Sequence, residues 1–222
     1  MNKQLIAIGI FILGISIFAK LMFVLSKNIQ VDEFHKAAVI FVLDATASNK
    51  NTLPQQIQYL KNLSAILDPE DEIKIIKVSD SAYLIYEGSP GDTKNITKAV
   101  STFAKPERVE HGTAYGEGIK KAVEHCLTMK KEGYRPAIVV SGDLASDGDI
   151  TKQINWETLP KNIQKTKQYI PELAMMFVYA PPEKLDMAKT KLNPILGEKK
   201  LIIANSENVG KASSKFLKAI GR

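Results

Sequence analysis

The stretch AAVIFVLDATAS, residues 37–48, reads as a strand buried on both faces that delivers polar groups at its carboxyl end. Its first seven residues are unbroken apolar sequence, the pattern of a parallel strand covered by helices above and below, and Asp44 closes the run. Ligands of open α/β sheets gather beyond the strands' carboxyl ends, so Asp44, Thr46 and Ser48, alternating in DATAS, are the first candidate site residues. Taken alone, DATAS would also serve as a helix N-cap cluster, since Asp, Thr and Ser all cap helices.

Downstream, Leu53 to Leu67 places Ile57, Leu60, Leu63, Ile66 and Leu67 at helical spacing with Pro54 in the first turn. DPED at 68–71 is turn chemistry. IKIIKV at 73–78 and AYLIYE at 82–87 are strands joined by a link short enough to make them antiparallel. A short helix is predicted from Asp92 to Phe103 and a longer one from Thr113 to Lys131, with Ile119, Ala122, Val123, Cys126 and Leu127 on one face. AIVVSGD at 137–143 repeats the pattern of an apolar strand ending in an acid, and the polar loop LASDGDI follows. LAMMFVYA at 173–180 and KLIIAN at 200–205 are further strands, each followed by a helix, at 182–192 and 208–221; in the last, Val209, Ala212, Phe216 and Ile220 share one side. Alternating strands and helices predict an α/β, Rossmann-like three-layer sandwich: a mainly parallel central sheet of about six strands, one antiparallel, with helices on both faces.

The amino-terminal side differs. From Gln4 to Ser26 the chain reads QLIAIGIFILGISIFAKLMFVLS, predominantly apolar with Lys20 its only charge. As a helix it would extend ~34 Å, enough for a bilayer's hydrocarbon core. Ile17 and Ala19 fit a signal-cleavage pattern poorly, so residues 1–27 read as an uncleaved transmembrane signal anchor, 28–36 as a linker and 37–222 as the folded domain. The expected location is a membrane, single-pass, with the domain on the extracytoplasmic side, although Lys3 balanced by Lys20 and Lys27 gives the positive-inside rule little to act on.

Composition excludes several classes. Of 222 residues, 45% are hydrophobic and 24% charged, ordinary globular values that argue against a disordered or multi-span protein. The net charge is +6, but three of the 30 Lys and Arg lie in the first thirty residues, where there are no acids, leaving 27 against 24 elsewhere. No nucleic-acid partner is expected from so mild an excess. Lys120, Lys121, Lys130 and Lys131, mixed with Glu117, Glu124 and Glu132, have the look of a solvated face. Cys126 is alone, which excludes an internal disulfide and a Cys-rich zinc site, and it reads as core. His35, His111 and His125 show no ligand spacing. GTAYGEG at 112–118 and GSPGDTK at 88–94 lack the spacing of nucleotide-binding loops, and their glycines read as turn glycines.

Three segments remain that place oxygens where such a sheet collects ligands: Asp44, Thr46 and Ser48; Thr113 in His-Gly-Thr; and Asp143, with Asp147 and Asp149 further out in SGDLASDGD. All are oxygen donors, the set preferred by a hard divalent cation that keeps several waters. Their order resembles a von Willebrand factor type A (VWA) domain and its metal-ion-dependent adhesion site, whose pattern is Asp-x-Ser-x-Ser after the first strand, a Thr in a Gly-Thr loop, and an Asp in a later Thr-Asp-Gly turn. The resemblance covers nearly everything after residue 36. It implies Asp44, Thr46, Ser48, Thr113 and Asp143 as ligands of Mg²⁺, with Mn²⁺ or Ca²⁺ as substitutes, and a protein partner that offers an acidic side chain to the ion's open position. Thr46 keeps the hydroxyl of the family's Ser. Ser141-Gly142-Asp143 carries its acid one place later than the family's turn, and a one-residue shift turns a strand side chain to the other face. Either the strand end bulges and Asp143 still reaches the ion, which is the expectation, or only the first segment binds firmly.

Two other functions compete with this non-enzymatic reading. GDLASD at 142–147 resembles the Gly-Asp-x-x-x-Asp metal motif of haloacid-dehalogenase phosphatases, with Asp44 as nucleophile. That family places a second Asp as general acid where this chain has Thr46, which has no carboxylic proton to give. The other is a metal-free scaffold in a membrane assembly.

Overall fold

The computed structural model describes residues 36–106, 113–145 and 149–222. The predicted anchor, 1–27, and the predicted linker, 28–36, apart from its last residue Lys36, lie outside these, as do His35, His111, Gly112 and Asp147. Among the described residues no helix is long and apolar enough to cross a membrane.

Six strands form one sheet in the order β3-β2-β1-β4-β5-β6: β1 (Ala37–Asp44), β2 (Glu72–Val78), β3 (Ala82–Gly88), β4 (Arg135–Ser141), β5 (Ala174–Val178) and β6 (Leu201–Ala204). Every pairing is parallel except β2 with β3, joined by the short Ser79–Ser81 link as the sequence predicts. All eight residues of β1 are buried, and their alternation supplies both faces. Val39, Phe41 and Leu43 pack on one side against α1 (Leu53–Ile66), α2 (Thr93–Phe103) and α6 (Val209–Ala219). Ile40 and Val42 pack on the other against α3 (Tyr115–Lys131), α4 (Leu159–Tyr169) and α5 (Pro182–Leu196). Each such side chain withdrawn from water contributes about 1.5–3 kcal/mol, so the central strand anchors both cores of the three-layer sandwich.

Some local expectations are adjusted. α4 occupies a segment for which the sequence predicts no element; Leu159 and Ile163 are its buried apolar residues. Ile66, expected on the core side of α1, is 55% exposed, whereas Gln56, a polar residue, is fully buried. Cys126 is core, as predicted, and burial pushes its thiol pKa far up. Gly116 and Gly118 are not turn glycines but lie inside α3. A Cβ on Gly118 would stand 2.7 Å from a Val78 methyl, and one on Gly116 would run into the Gln153 carbonyl. Their bare backbone lets α3 press against β2 and the 152–153 turn, and Gly116 N–H donates to Lys152 O at 2.8 Å.

The chain leaves β1 toward β2 on one side and returns as β4 on the other, so the sheet order reverses between β1 and β4. That is the switch point where a crevice opens beyond the carboxyl ends of the strands. Asp44 ends one of these strands and Ser141 the other.

Candidate functional site

The first segment folds tightly on itself. Asp44 is fully buried, and its Oδ1 accepts the Thr46 N–H at 2.8 Å, turning the chain immediately after the strand. A single 3₁₀ turn, Ala47–Asn49, follows, and no side-chain cap bond forms at Thr46, so DATAS is not a helix cap. The turn brings the Thr46 and Ser48 hydroxyls to 2.9 Å from each other, Thr46 buried and Ser48 exposed. It also swings Asn49 inward, where its Nδ2 donates to Asp44 Oδ2 at 2.6 Å.

The second segment meets the first through a residue that the motif does not contain. Thr113 is buried two residues before α3, and Ala114 N–H donates to Ser79 O at 2.9 Å, tying the helix start to the end of β2. α3 then opens with Tyr115, fully buried, whose hydroxyl donates to Asp44 Oδ2 at 2.5 Å.

The third segment leaves β4 at Gly142, whose φ of +120° lies in the region that favours glycine, and Leu144 follows at φ +53°. Gly142 N–H donates to Val178 O at 3.2 Å. Asp143 is partly buried and folds back on its own turn, its Oδ1 accepting Ala145 N–H at 2.9 Å. A Cβ at position 142 would stand 2.5 Å from Asp44 Cβ and collide with the Tyr115 hydroxyl.

Burial pushes the Asp44 pKa up to about 6, the bonds from Tyr115 and Thr46 pull it down, and the Asp143 charge adds to the rise. The Tyr115 hydroxyl is pushed well above its ordinary value, first by burial and then by the Asp44 and Asp143 charges. Asp44, Tyr115 and Asp143 thus share one electrostatic neighbourhood, and the bonds from Asn49 and within the Thr46–Ser48 pair extend it to Asp44's own segment. Asp149 accepts from Thr151 in the loop further along.

A divalent ion implied by the resemblance would meet a mixed set of donors. The Thr46–Ser48 separation suits adjacent corners of an octahedron with bonds of about 2.0–2.1 Å. The carboxylates do not suit it: Asp44 directs its oxygens at three protein donors, Asp143 turns Oδ1 to the Ala145 N–H, and position 142 has no room for an acid. Among the described residues no group of three His, Cys, Asp or Glu is placed to hold a metal. As folded, the two carboxylates do not fit the ion.

No family model and no curated protein matches the sequence. Solved structures do match the folded chain. Its fold is that of the von Willebrand factor type A domain. A von Willebrand factor type A protein from Catenulispora acidiphila aligns at TM-score 0.59 and 10% identity, over 84% of this chain and 43% of its own, so this chain spans less than half of that protein. The SpRpn10 VWA domain aligns at TM-score 0.58 and 13% identity, over 77% and 87%. The TRAP protein of Plasmodium vivax, in its manganese-loaded crystal structure, aligns at 0.58 and 13%, over 84% and 74%. At these identities the similarity establishes the VWA fold.

Asn49, Tyr115 and Gly142 are the site residues that sequence reasoning misses. Tyr115 had one available signal, a large aromatic in the stretch where the Gly-Thr loop hands over to the helix.

Proposed function

We propose that the VWA-fold domain is a protein-interaction module that contacts its partner with the crest beyond β1 and β4, and that residues 1–27 tether it to a membrane with the domain on the extracytoplasmic side. The observation that carries the reading is the convergence at the switch point of loops encoded far apart, Asp44–Lys50, Thr113–Tyr115 and Ser141–Ala145, with Ala47, Ser48 and Lys50 exposed on its surface. Loops on a rigid sheet can vary for recognition while the sheet holds them in place. The phosphatase alternative fares worse: it needs Asp44 to attack phosphorus, and Asp44 is fully buried with both oxygens engaged.

The test is site-specific photo-crosslinking in membranes with the full chain. A crosslinker at Ala47 should capture a protein partner, and one at exposed Lys199, at the amino-terminal end of β6, should not. Equal capture from both positions, or none from Ala47, would refute the crest as the contact surface. A second reading, favoured by the Thr46–Ser48 spacing alone, puts Mg²⁺ among Asp44, Thr46, Ser48, Thr113 and Asp143 as the receptor for an acidic side chain, and it requires both carboxylates to leave their present partners. Its mark is loss of the Ala47 crosslink in chelator.

A further inference from the structure

We infer that the crest is held together by a buried ring of hydrogen bonds in place of a divalent ion, with Tyr115 as its central donor. The ring runs through five side chains from five elements. Tyr115 Oη donates to Asp44 Oδ2 at 2.5 Å, and Asn49 Nδ2 donates to the same oxygen at 2.6 Å. Asn49 Oδ1 accepts a long bond from Gln56 Nε2 at 3.5 Å and a shorter one from Thr52 Oγ1 at 2.9 Å. Gln56 Oε1 accepts from the Ser141 hydroxyl at 2.8 Å, with Val42 O a second acceptor 3.1 Å from it, and the Ser141 carbonyl stands 3.3 Å from Tyr115 Oη, a contact without a second proton that brings the two ends of this chain of bonds together. All five residues are at most 2% exposed.

A metal at such a crest would contribute two things: a positive partner for a buried carboxylate, and a tie between separate loops. The ring supplies the tie, and in place of a positive partner it supplies neutral hydrogen-bond donors. Two donors of the ring and the Thr46 N–H outside it converge on Asp44, three in all, a number that satisfies most of a carboxylate's acceptor sites. The tie spans β1, the 3₁₀ turn, α1, α3 and β4, and a fully satisfied buried network of this kind rigidifies what it joins. Gly142 completes the case, because the space beside its Cα is taken by the Tyr115 hydroxyl, so ring and glycine are complementary in shape. The ring holds the crest whether or not the crest is a contact surface.

The experiment is thermal unfolding of the full chain in detergent, in magnesium, in manganese and in chelator, alongside a Mn²⁺ titration read by electron paramagnetic resonance. The wild type should melt within about 1 °C in all three conditions and bind no stoichiometric Mn²⁺. An ion present at a hundred times its Kd would raise the melting temperature of a domain this size by about 5–10 °C. Tyr115→Phe should melt about 4–8 °C lower, with no rescue by either metal. Should that variant fail to fold, the wild-type arms decide alone. A metal-dependent rise in the wild type, or one Mn²⁺ bound at submillimolar Kd and lost in Thr46→Ala, would overturn the inference. Metal-independent melting without an Ala47 crosslink would sink the interaction reading and leave the ring standing.

Discussion

Tyr115→Phe deletes one O–H from a fully buried ring and leaves the aromatic packing in place. The lost bond is made to a carboxylate, and bonds to charged groups contribute about 1.5–3 kcal/mol, so the variant should lose about 2 kcal/mol where Asp44 is ionised. The pH dependence separates this loss from general loosening. Burial holds the Asp44 pKa at about 6 against an ordinary 3.8, a folding cost of about 3 kcal/mol above pH 6. Between those values the folded state keeps a proton that the unfolded state releases, so the cost is present above pH 6 and fades as pH falls toward 4. The Tyr115 bond is one of the influences that lower this pKa, so the Phe variant should have a higher one and a larger cost. The difference between variant and wild type is therefore full at pH 8 and shrinks at pH 5, where Asp44 is protonated in both. Other carboxylates titrate equally in the two proteins and cancel. Urea unfolding should give about 2 kcal/mol at pH 8 and under about 1 kcal/mol at pH 5. A difference under about 0.5 kcal/mol at pH 8, or one unchanged at pH 5, would show that the hydroxyl does not serve the ionised carboxylate.

Gly142→Ala adds a methyl at φ +120°, 2.5 Å from Asp44 Cβ and in collision with the Tyr115 hydroxyl, and should lose about 3 kcal/mol or more in urea unfolding. Combined with Tyr115→Phe it should lose at least about 1 kcal/mol less than the sum, since the second change removes one of the colliding atoms. Cys126, buried and with its thiol pKa pushed far up, should not react with an aromatic disulfide reagent in the native protein and should react fully in concentrated guanidinium chloride. Arg222→Ala removes the guanidinium from Asp71, a 3% exposed carboxylate that also accepts from Ala37 N and Asp68 N; the loss should be about 3 kcal/mol by urea unfolding at neutral pH.

Much of the fold is legible because its strands are covered on both sides and therefore written as local apolar runs. β1 is the clearest case: eight buried residues in succession leave no choice of face, and the acid at its end marks the crest. Helices are legible in proportion to the width of their apolar stripe. α4 carries few apolar residues in LPKNIQKTKQY, and Leu159, Ile163 and Thr166 are buried because neighbouring elements close over them, an effect absent from any local window. In α1 the periodicity places Ile66 on the core side, but it is the helix's last residue and stands in solvent, while Gln56 turns inward because Ser141 and Asn49 supply its partners.

The site divides along the same line. Asp44, Thr46 and Ser48 lie within five residues, so one turn of backbone fixes their relation and a motif can describe it. What decides whether that motif meets an ion lies elsewhere in the chain. Tyr115 is 71 residues from the carboxylate it serves, and Gly142 is significant only for the atoms it leaves room for. A spacing rule scores hydroxyls and acids by position, whereas a buried carboxylate responds to whichever donor reaches it, and a neutral phenol and an amide can do so. The Asp44 motif is thus compatible with two opposite electrostatic solutions, and the space beside Gly142 is the feature that tells them apart. Restoring the alternative would need the Tyr115 hydroxyl removed and an acid carried at 142 in the same molecule. Neither change alone leaves the ring satisfied or completes a site, so each single variant should be less stable than the parent and should gain no affinity for Mg²⁺.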